Sequence, residues 1–215
     1  MTTAPRWELR TVTVGPLAMN AYLLCERTGG ECLLADPGDE PETLASAVRE
    51  SGCRLRYLVA THGHFDHVSA AAALQESLAA PPLLLHAAER PILEMLNESR
   101  AAFGFPPAVP PACRWRDGDG WTLPLGTAAV TVRHAPGHSP GHVVLSWPGH
   151  ALVGDVIFAG SVGRTDLPGA SFAELERSIR REIYSLPDAT VLHPGHGPAT
   201  TVGRERRENP FVRDV

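Results

Sequence analysis

The 215-residue sequence contains no lysine, and all 19 of its basic residues are arginine. This excludes chemistry through a lysine Schiff base or lysine nucleophile. It also excludes a Walker-type phosphate loop, which needs its lysine. With alanine abundant, arginine-for-lysine reads first as the codon usage of a GC-rich genome. Long hydrophobic runs are missing too. Nowhere are 18 consecutive residues apolar, so no transmembrane helix is expected. The segment Met1-Thr2-Thr3-Ala4-Pro5-Arg6-Trp7 lacks the apolar stretch of a secretory signal. The four cysteines (Cys25, Cys32, Cys53, Cys113) form no C-x-x-C pair and read as reduced thiols. Excess positive charge is also absent. The net charge of −5, with histidine neutral, is unsuited to gripping phosphate backbones. These absences predict a cytoplasmic protein that engages neither nucleic acid nor membrane, and they leave its oligomeric state open.

Glycine and proline are plentiful, 20 of each, well above the roughly 12 % of average usage for the two together. A loop-rich fold with many tight turns follows. Residues 9–14, 20–25 and 31–35 read as strands, the last two joined by a Thr28-Gly29-Gly30 turn. Asp36-Pro37-Gly38-Asp39 stops the third strand. A helix over 41–51 follows, with Asp39 or Glu40 near its cap and Gly52 at its end. Residues 55–60 form a buried strand, 68–79 a helix, 83–85 a strand, 87–102 a helix and 103–111 a proline-rich loop. The β pattern then returns over 121–125, 128–133, 142–147 and 151–153. Ser171 opens a helix over 171–185, with Glu174 completing a capping box, and 190–192 is the last strand. Residues 204–208 read as an exposed charged tail, with 210–212 docking back. No break in composition marks a linker. One α/β domain over residues 1–215 is expected, a sandwich of two β-rich halves that each carry helices.

Ten histidines are present, and they are not spread evenly. His62, His64, Asp66 and His67 fall within six residues, directly after a buried strand. One turn can aim such side chains at two metals about 3.5–4 Å apart. Imidazole and carboxylate together suit zinc, iron or manganese better than calcium or magnesium. Gly63 lets the chain turn between two of the ligands. His138, Asp155 and His196 each follow a later strand and are bounded by glycine or proline. Polar residues at one rim of a sheet converge, and these three bring the candidate ligands to seven.

The run His62-Gly63-His64-Phe65-Asp66-His67 resembles the H-x-H-x-D-H signature of the metallo-β-lactamase-fold superfamily. His138, Asp155 and His196 match its later metal positions in order. The stretches 154–166 and 196–211 are similar to short bacterial glyoxalase II (hydroxyacylglutathione hydrolase) proteins. The resemblance implies an αββα sandwich of two mixed β-sheets flanked by helices, without the C-terminal helical domain of full-length glyoxalase II. It implies two divalent metal ions, zinc first, with iron or manganese compatible. His62, His64 and His138 would hold one, and Asp66, His67 and His196 the other, with Asp155 bridging. It further implies hydrolysis of a small-molecule thioester, S-lactoylglutathione or a related hydroxyacyl thioester, by metal-bound hydroxide, with Asp66 orienting the nucleophile. Arg164 stands where that family contacts the thiol carrier. The alternative for Arg164 is an ion pair with Asp166. Asp166 and Pro198 stand where that family has tyrosines.

Among the other histidines, His134 reads as support for the ligands, His142 as a loop organiser and His193 as a partly buried loop residue. His86 and His150 have no ligand context. A competing reading of the same fold is a mononuclear-iron persulfide dioxygenase, in which two histidines and one carboxylate hold a single iron. Metal stoichiometry separates the two.

Overall fold

The computed structural model describes residues 6–213 of the chain. The segment 1–5, where a signal would begin, lies outside the described residues. The chain builds two six-stranded mixed sheets with helices on both outer faces, the expected αββα sandwich.

The first sheet holds β1 (Trp7–Val14), β2 (Met19–Glu26), β3 (Glu31–Ala35), β4 (Arg54–Val59), β5 (Leu83–His86) and β6 (Cys113–Arg116), side by side in chain order. The first three strands pair antiparallel and the last three join in parallel. Parallel neighbours need crossovers. These are α1 (Pro41–Ser51) between β3 and β4, and α2 (Phe65–Val68) with α3 (Ala71–Leu78) between β4 and β5. A 3₁₀ turn at Ala87–Glu89, then α4 (Arg90–Glu94) and α5 (Leu96–Ala102), connect β5 to β6.

The second sheet has the spatial order β14-β13-β10-β9-β8-β7. Its strands are β7 (Gly120–Leu125), β8 (Ala128–His134), β9 (Val143–Trp147), β10 (His150–Gly154), β13 (Val191–Pro194) and β14 (Thr200–Thr201). The hairpin β11 (Ile157–Phe158) and β12 (Ser161–Val162) stands apart. Helices α6 (Phe172–Ser178) and α7 (Val202–Glu208) cover the outer face, and a π-helical turn at Ile179–Ile183 extends α6.

Side-chain alternation explains the layering. All eight residues of β2 are buried because both faces of the strand are covered. Tyr22 and Leu24 point between the sheets, against Leu123, Val132 and Leu145. Ala21, Leu23 and Cys25 point outward, under Leu44, Val48 and Leu74 of the helices. On the far side, Val144, Ala151 and Leu192 pack against Leu175, Ile179 and Ile183.

Local signals place several elements where the sequence puts them. Pro41 opens α1, and Gly52 ends it with φ 68°. The Ser171 side chain accepts a hydrogen bond from the Glu174 amide and caps α6. Three expectations need correction. The helix over 87–102 breaks at Met95, which has left helical geometry. A strand, β6, lies within residues the sequence pattern left unassigned. The charged stretch 204–208 is helical rather than a free tail, because Val202 and Glu205 on its inner face are buried. Val212 docks back, its carbonyl accepting from the Tyr184 hydroxyl at 2.6 Å. Among the described residues no helix is long and apolar enough to cross a membrane.

Candidate metal centre

All seven candidate ligands lie at one rim of the sandwich. His62 and His64 follow β4, with Asp66 and His67 in the first turn of α2. His138 follows β8, Asp155 follows β10 and His196 follows β13. Their ligand atoms fall into three groups, within each of which all lie within 4.8 Å of one another. One group is His62, His64 and His138, and another is Asp66, His67 and His196. The third, His62, His67 and Asp155, sits between them. Asp155 reaches toward both sides. Its Oδ1 is 3.5 Å from His67 Nε2, and its Oδ2 is 3.7 Å from His138 Nε2 and 3.8 Å from His196 Nε2.

The surrounding chain fixes which nitrogen each ring presents. His138 Nδ1 is 2.9 Å from the Arg164 carbonyl, and His196 Nδ1 is 3.1 Å from the Leu17 carbonyl. A carbonyl only accepts, so in each ring Nδ1 carries the proton and Nε2 offers its lone pair inward. Asp36 governs two more ligands. It accepts from the Thr61 amide at 2.6 Å and the Thr61 hydroxyl at 2.9 Å. The Thr61 oxygen is then left to accept from His62 Nδ1, 3.1 Å away. Asp36 Oδ2 also lies 3.2 Å from His67 Nδ1. Asp36 is held at φ 52°, a strained conformation for a non-glycine residue.

Electrostatics divides the two sides. Burial first, then the neighbouring imidazoles, hold His62 far below its ordinary value. Burial, then His138, pushes His64 down to about 3. Both rings are therefore neutral donors. Burial would raise the Asp155 carboxyl, but His67 and its other imidazole neighbours outweigh it and the group stays ionised. Asp66 is likewise lowered, by His67 and His196 against burial.

The chemistry of the donor set fits a metal. His62 Nε2, His67 Nε2 and Asp155 Oδ1 are buried and without a hydrogen-bond partner. Each such group would normally cost about 1–3 kcal/mol. Three of them gathered within 4.8 Å is what divalent cations resolve. The packing leaves no slack. A Cβ on Gly195 would sit 2.2 Å from Asp155 Oδ1. At Gly154, whose φ is +47°, it would sit 2.5 Å from Thr61 Oγ1.

Sequence reasoning missed two carboxylates. Asp36 passes for a turn residue. Glu89 is fully buried and accepts from the Gly63 amide at 2.6 Å and the Gly141 amide at 2.5 Å. It thereby clamps the first ligand turn to the loop that carries His138. His142 accepts the Asp155 amide on Nε2 at 3.1 Å and stacks on His62, so it orients ligands. His134 bonds the Pro140 carbonyl and stacks on His86. His193 pairs with His150, away from the centre.

A cleft of about 490 Å³ opens over the candidate metal centre, walled by Leu17, Phe65, Met95, Phe103, Phe158 and Leu167. The loop 103–111 is pinned. Arg100 donates to the Pro106 carbonyl at 2.6 Å, and Asn97 exchanges two hydrogen bonds with Ala108. Arg164 lines the cleft but is engaged by Asp166 at 2.7 and 2.8 Å, so the ion pair is the arrangement observed.

Residues 14–196 match the model of the metallo-beta-lactamase superfamily. The chain belongs to that superfamily. It is 37 % identical over 183 residues to "Hydroxyacylglutathione hydrolase GloC" of Haemophilus influenzae, covering 83 % of this chain and 86 % of that one. The crystal structure of TTHA1623 in a di-iron-bound form superposes with a TM-score of 0.84 at 43 % identity, covering 94 % of this chain and all of that one. The BLEG-1 B3 metallo-beta-lactamase superposes with a TM-score of 0.87 at 35 % identity, over 96 % of this chain and all of that one. The superfamily and its metallo-hydrolase relatives point to a metal-dependent hydrolase. The His/Asp cluster is able to bind metal.

Proposed function

We propose that this superfamily member is a binuclear metal-dependent thioesterase of the hydroxyacylglutathione hydrolase type. The observation that carries the reading is the pair of three-residue ligand groups with Asp155 between them. Similarity to GloC supports the thioester, and similarity to the di-iron TTHA1623 supports two metals. His62, His64 and His138 would hold one ion, Asp66, His67 and His196 the other, and Asp155 both. Two such ions activate water near neutral pH and polarise a carbonyl.

The rest falls to the chain's own residues. Asp66, ionised and 3.2 Å from His196 Nε2, faces the centre and can accept a hydrogen bond from the attacking water. The cleft lays the carbonyl over the centre and keeps bulk water away with Phe65 and Phe158. The C–S bond breaks, water supplies OH to the acyl carbon and a proton to the departing sulfur, and the products are a thiol and a carboxylic acid that ionises to carboxylate and a released proton. A thiolate is a good leaving group, with a free thiol near pKa 8.5. No separate general acid is needed.

The test is a thioester panel run on metal-quantified protein. Two metals per chain and hydrolysis dependent on both are expected. One iron per chain, with oxygen uptake on a persulfide, would replace this reading with the dioxygenase.

A further inference from the structure

The cleft walls carry almost no charge to answer a charged substrate. Besides the metal-facing groups, its lining has one cation among the described residues, Arg164. Its Nε and Nη2 already donate to Asp166. The remaining wall is hydrocarbon and aromatic apart from Ser99 and Ser161. Two of the large apolar side chains exposed on the surface, Leu17 at 37 % and Phe103 at 54 %, stand on this cleft. Phe103 is part of an aromatic group with Phe65, ring centroids 5.3 Å apart, and Phe65 in turn touches Phe105 at 5.4 Å. Phe158 lies edge-on to His196 at 6.3 Å, so an apolar surface comes within one ring of the candidate ligands.

Exposed apolar side chains around a concave site mark what the site receives. A peptide thiol with two carboxylates would find one cation, already paired with Asp166, and its carboxylates would be desolvated against phenyl rings. We infer, resting on the thioesterase reading, that the preferred substrate is a thioester whose group in the cleft is uncharged and apolar, of branched-chain or phenyl size. Arg164 and Asp166 act as a neutral pair at the cleft wall. The acyl side or the thiol side could supply the apolar group, and the experiment has an arm for each.

The first arm varies the acyl group (acetyl, isovaleryl, phenylacetyl) on the neutral thiol N-acetylcysteamine. The second keeps each acyl group and exchanges that thiol for benzyl mercaptan or glutathione. Each buried methylene should raise kcat/KM about fourfold, giving at least tenfold across one series. Glutathione should confer no advantage over N-acetylcysteamine. Phe103→Ala should shrink the phenylacetyl-to-acetyl ratio, or the benzyl-to-neutral ratio, mainly through KM. Asp166→Asn, which frees Arg164, should shift preference toward the glutathione thioester. Flat series in both arms, or a tenfold preference of the wild type for glutathione, would overturn the inference and leave the thioesterase standing. Failure to hydrolyse any thioester with both metals bound would remove the thioesterase reading and the inference with it.

Discussion

Strand β2 joins two ends of the molecule that treat buried polar groups in opposite ways. At its start, Asn20 donates to the carbonyls of Pro194 and Gly197, and Tyr22 to that of Pro194, holding the His196 loop against the first sheet. At that end, buried atoms of His62, His67 and Asp155 lack partners. At its finish stands Glu26, as fully buried as His62. Its carboxylate accepts from the Gly29 amide at 2.6 Å, the Thr127 amide at 3.1 Å and hydroxyl at 3.2 Å, and Arg6 at 3.2 Å. Eight strand residues, about 25 Å, separate a carboxylate with every partner supplied by the chain from one, Asp155, with an oxygen left waiting for a partner. The satisfied end sews the two sheets together. The unsatisfied end is where a ligand is expected.

If that contrast is right, damage at the two ends must read out differently. The largest effect belongs to the centre. Asp155→Asn should reduce metal content below two per chain and lower kcat/KM by well over 100-fold, beyond the roughly 10–100-fold typical for loss of an outer partner. Asp66→Ala should cost one metal and most activity. Metal analysis beside steady-state kinetics checks both, and two bound metals with full turnover in both variants would sink the binuclear scheme. Next come the carboxylates that hold the ligands. Glu89→Gln keeps the shape of the clamp but weakens the bonds to the Gly63 and Gly141 amides. Metal affinity should fall about 10–100-fold, measured by competition with a chromophoric chelator. A smaller effect is expected from removing metal altogether. Free metal at 100 times Kd stabilises by about 2.7 kcal/mol, so chelation should lower Tm by roughly 5–10 °C in a chain of this size. Calorimetry with and without chelator measures it.

How much of this was legible beforehand follows the same division. The candidate ligands could be grouped because four fall within six residues and the other three each follow a strand beside glycine or proline. The order of strand and helix patterns pointed to a sandwich of two β-rich halves, and the resemblance to the metallo-β-lactamase fold supplied its αββα layering. The residues that aim the ligands were not legible. Asp36 belongs to a Pro-Gly turn 26 positions before His62, and nothing local distinguishes it from any acid that stops a strand. Glu89 sits in an Ala-Glu-Arg stretch that reads as a solvated helix face. Only the 3₁₀ turn after β5, started by His86 accepting the Ala88 amide, carries it inward. The charged run 204–208 misled for a related reason. Glu205 is buried, meeting Thr200, Gly160 and Asn209, so its charge did not report exposure. A carboxylate's place is set by donors that arrive from distant segments, and periodicity carries no record of them.

The satisfied end gives the smallest effect and the sharpest control. Burial would raise the Glu26 carboxyl, but the bonds from Thr127 and Gly29 outweigh it and hold it at about 2, against an ordinary 4.5. A depressed folded-state value means the unfolded chain binds the proton first. The stabilisation is therefore complete above pH 4.5 and fades as pH falls toward 2. Glu26→Gln should lose about 2 kcal/mol at neutral pH, the scale of charge-assisted hydrogen bonds with one partner weakened. The difference in stability between wild type and variant, from denaturant melts at a series of pH values, should narrow steadily below pH 4.5. Metal content and kcat/KM per metal should not move, since the side chain lies a full strand length from the ligands. A gap that stays constant down to pH 2 would show that Glu26 acts by shape rather than charge. Lost metal in the variant would show that the two ends are coupled through β2, and the contrast drawn between them would fail.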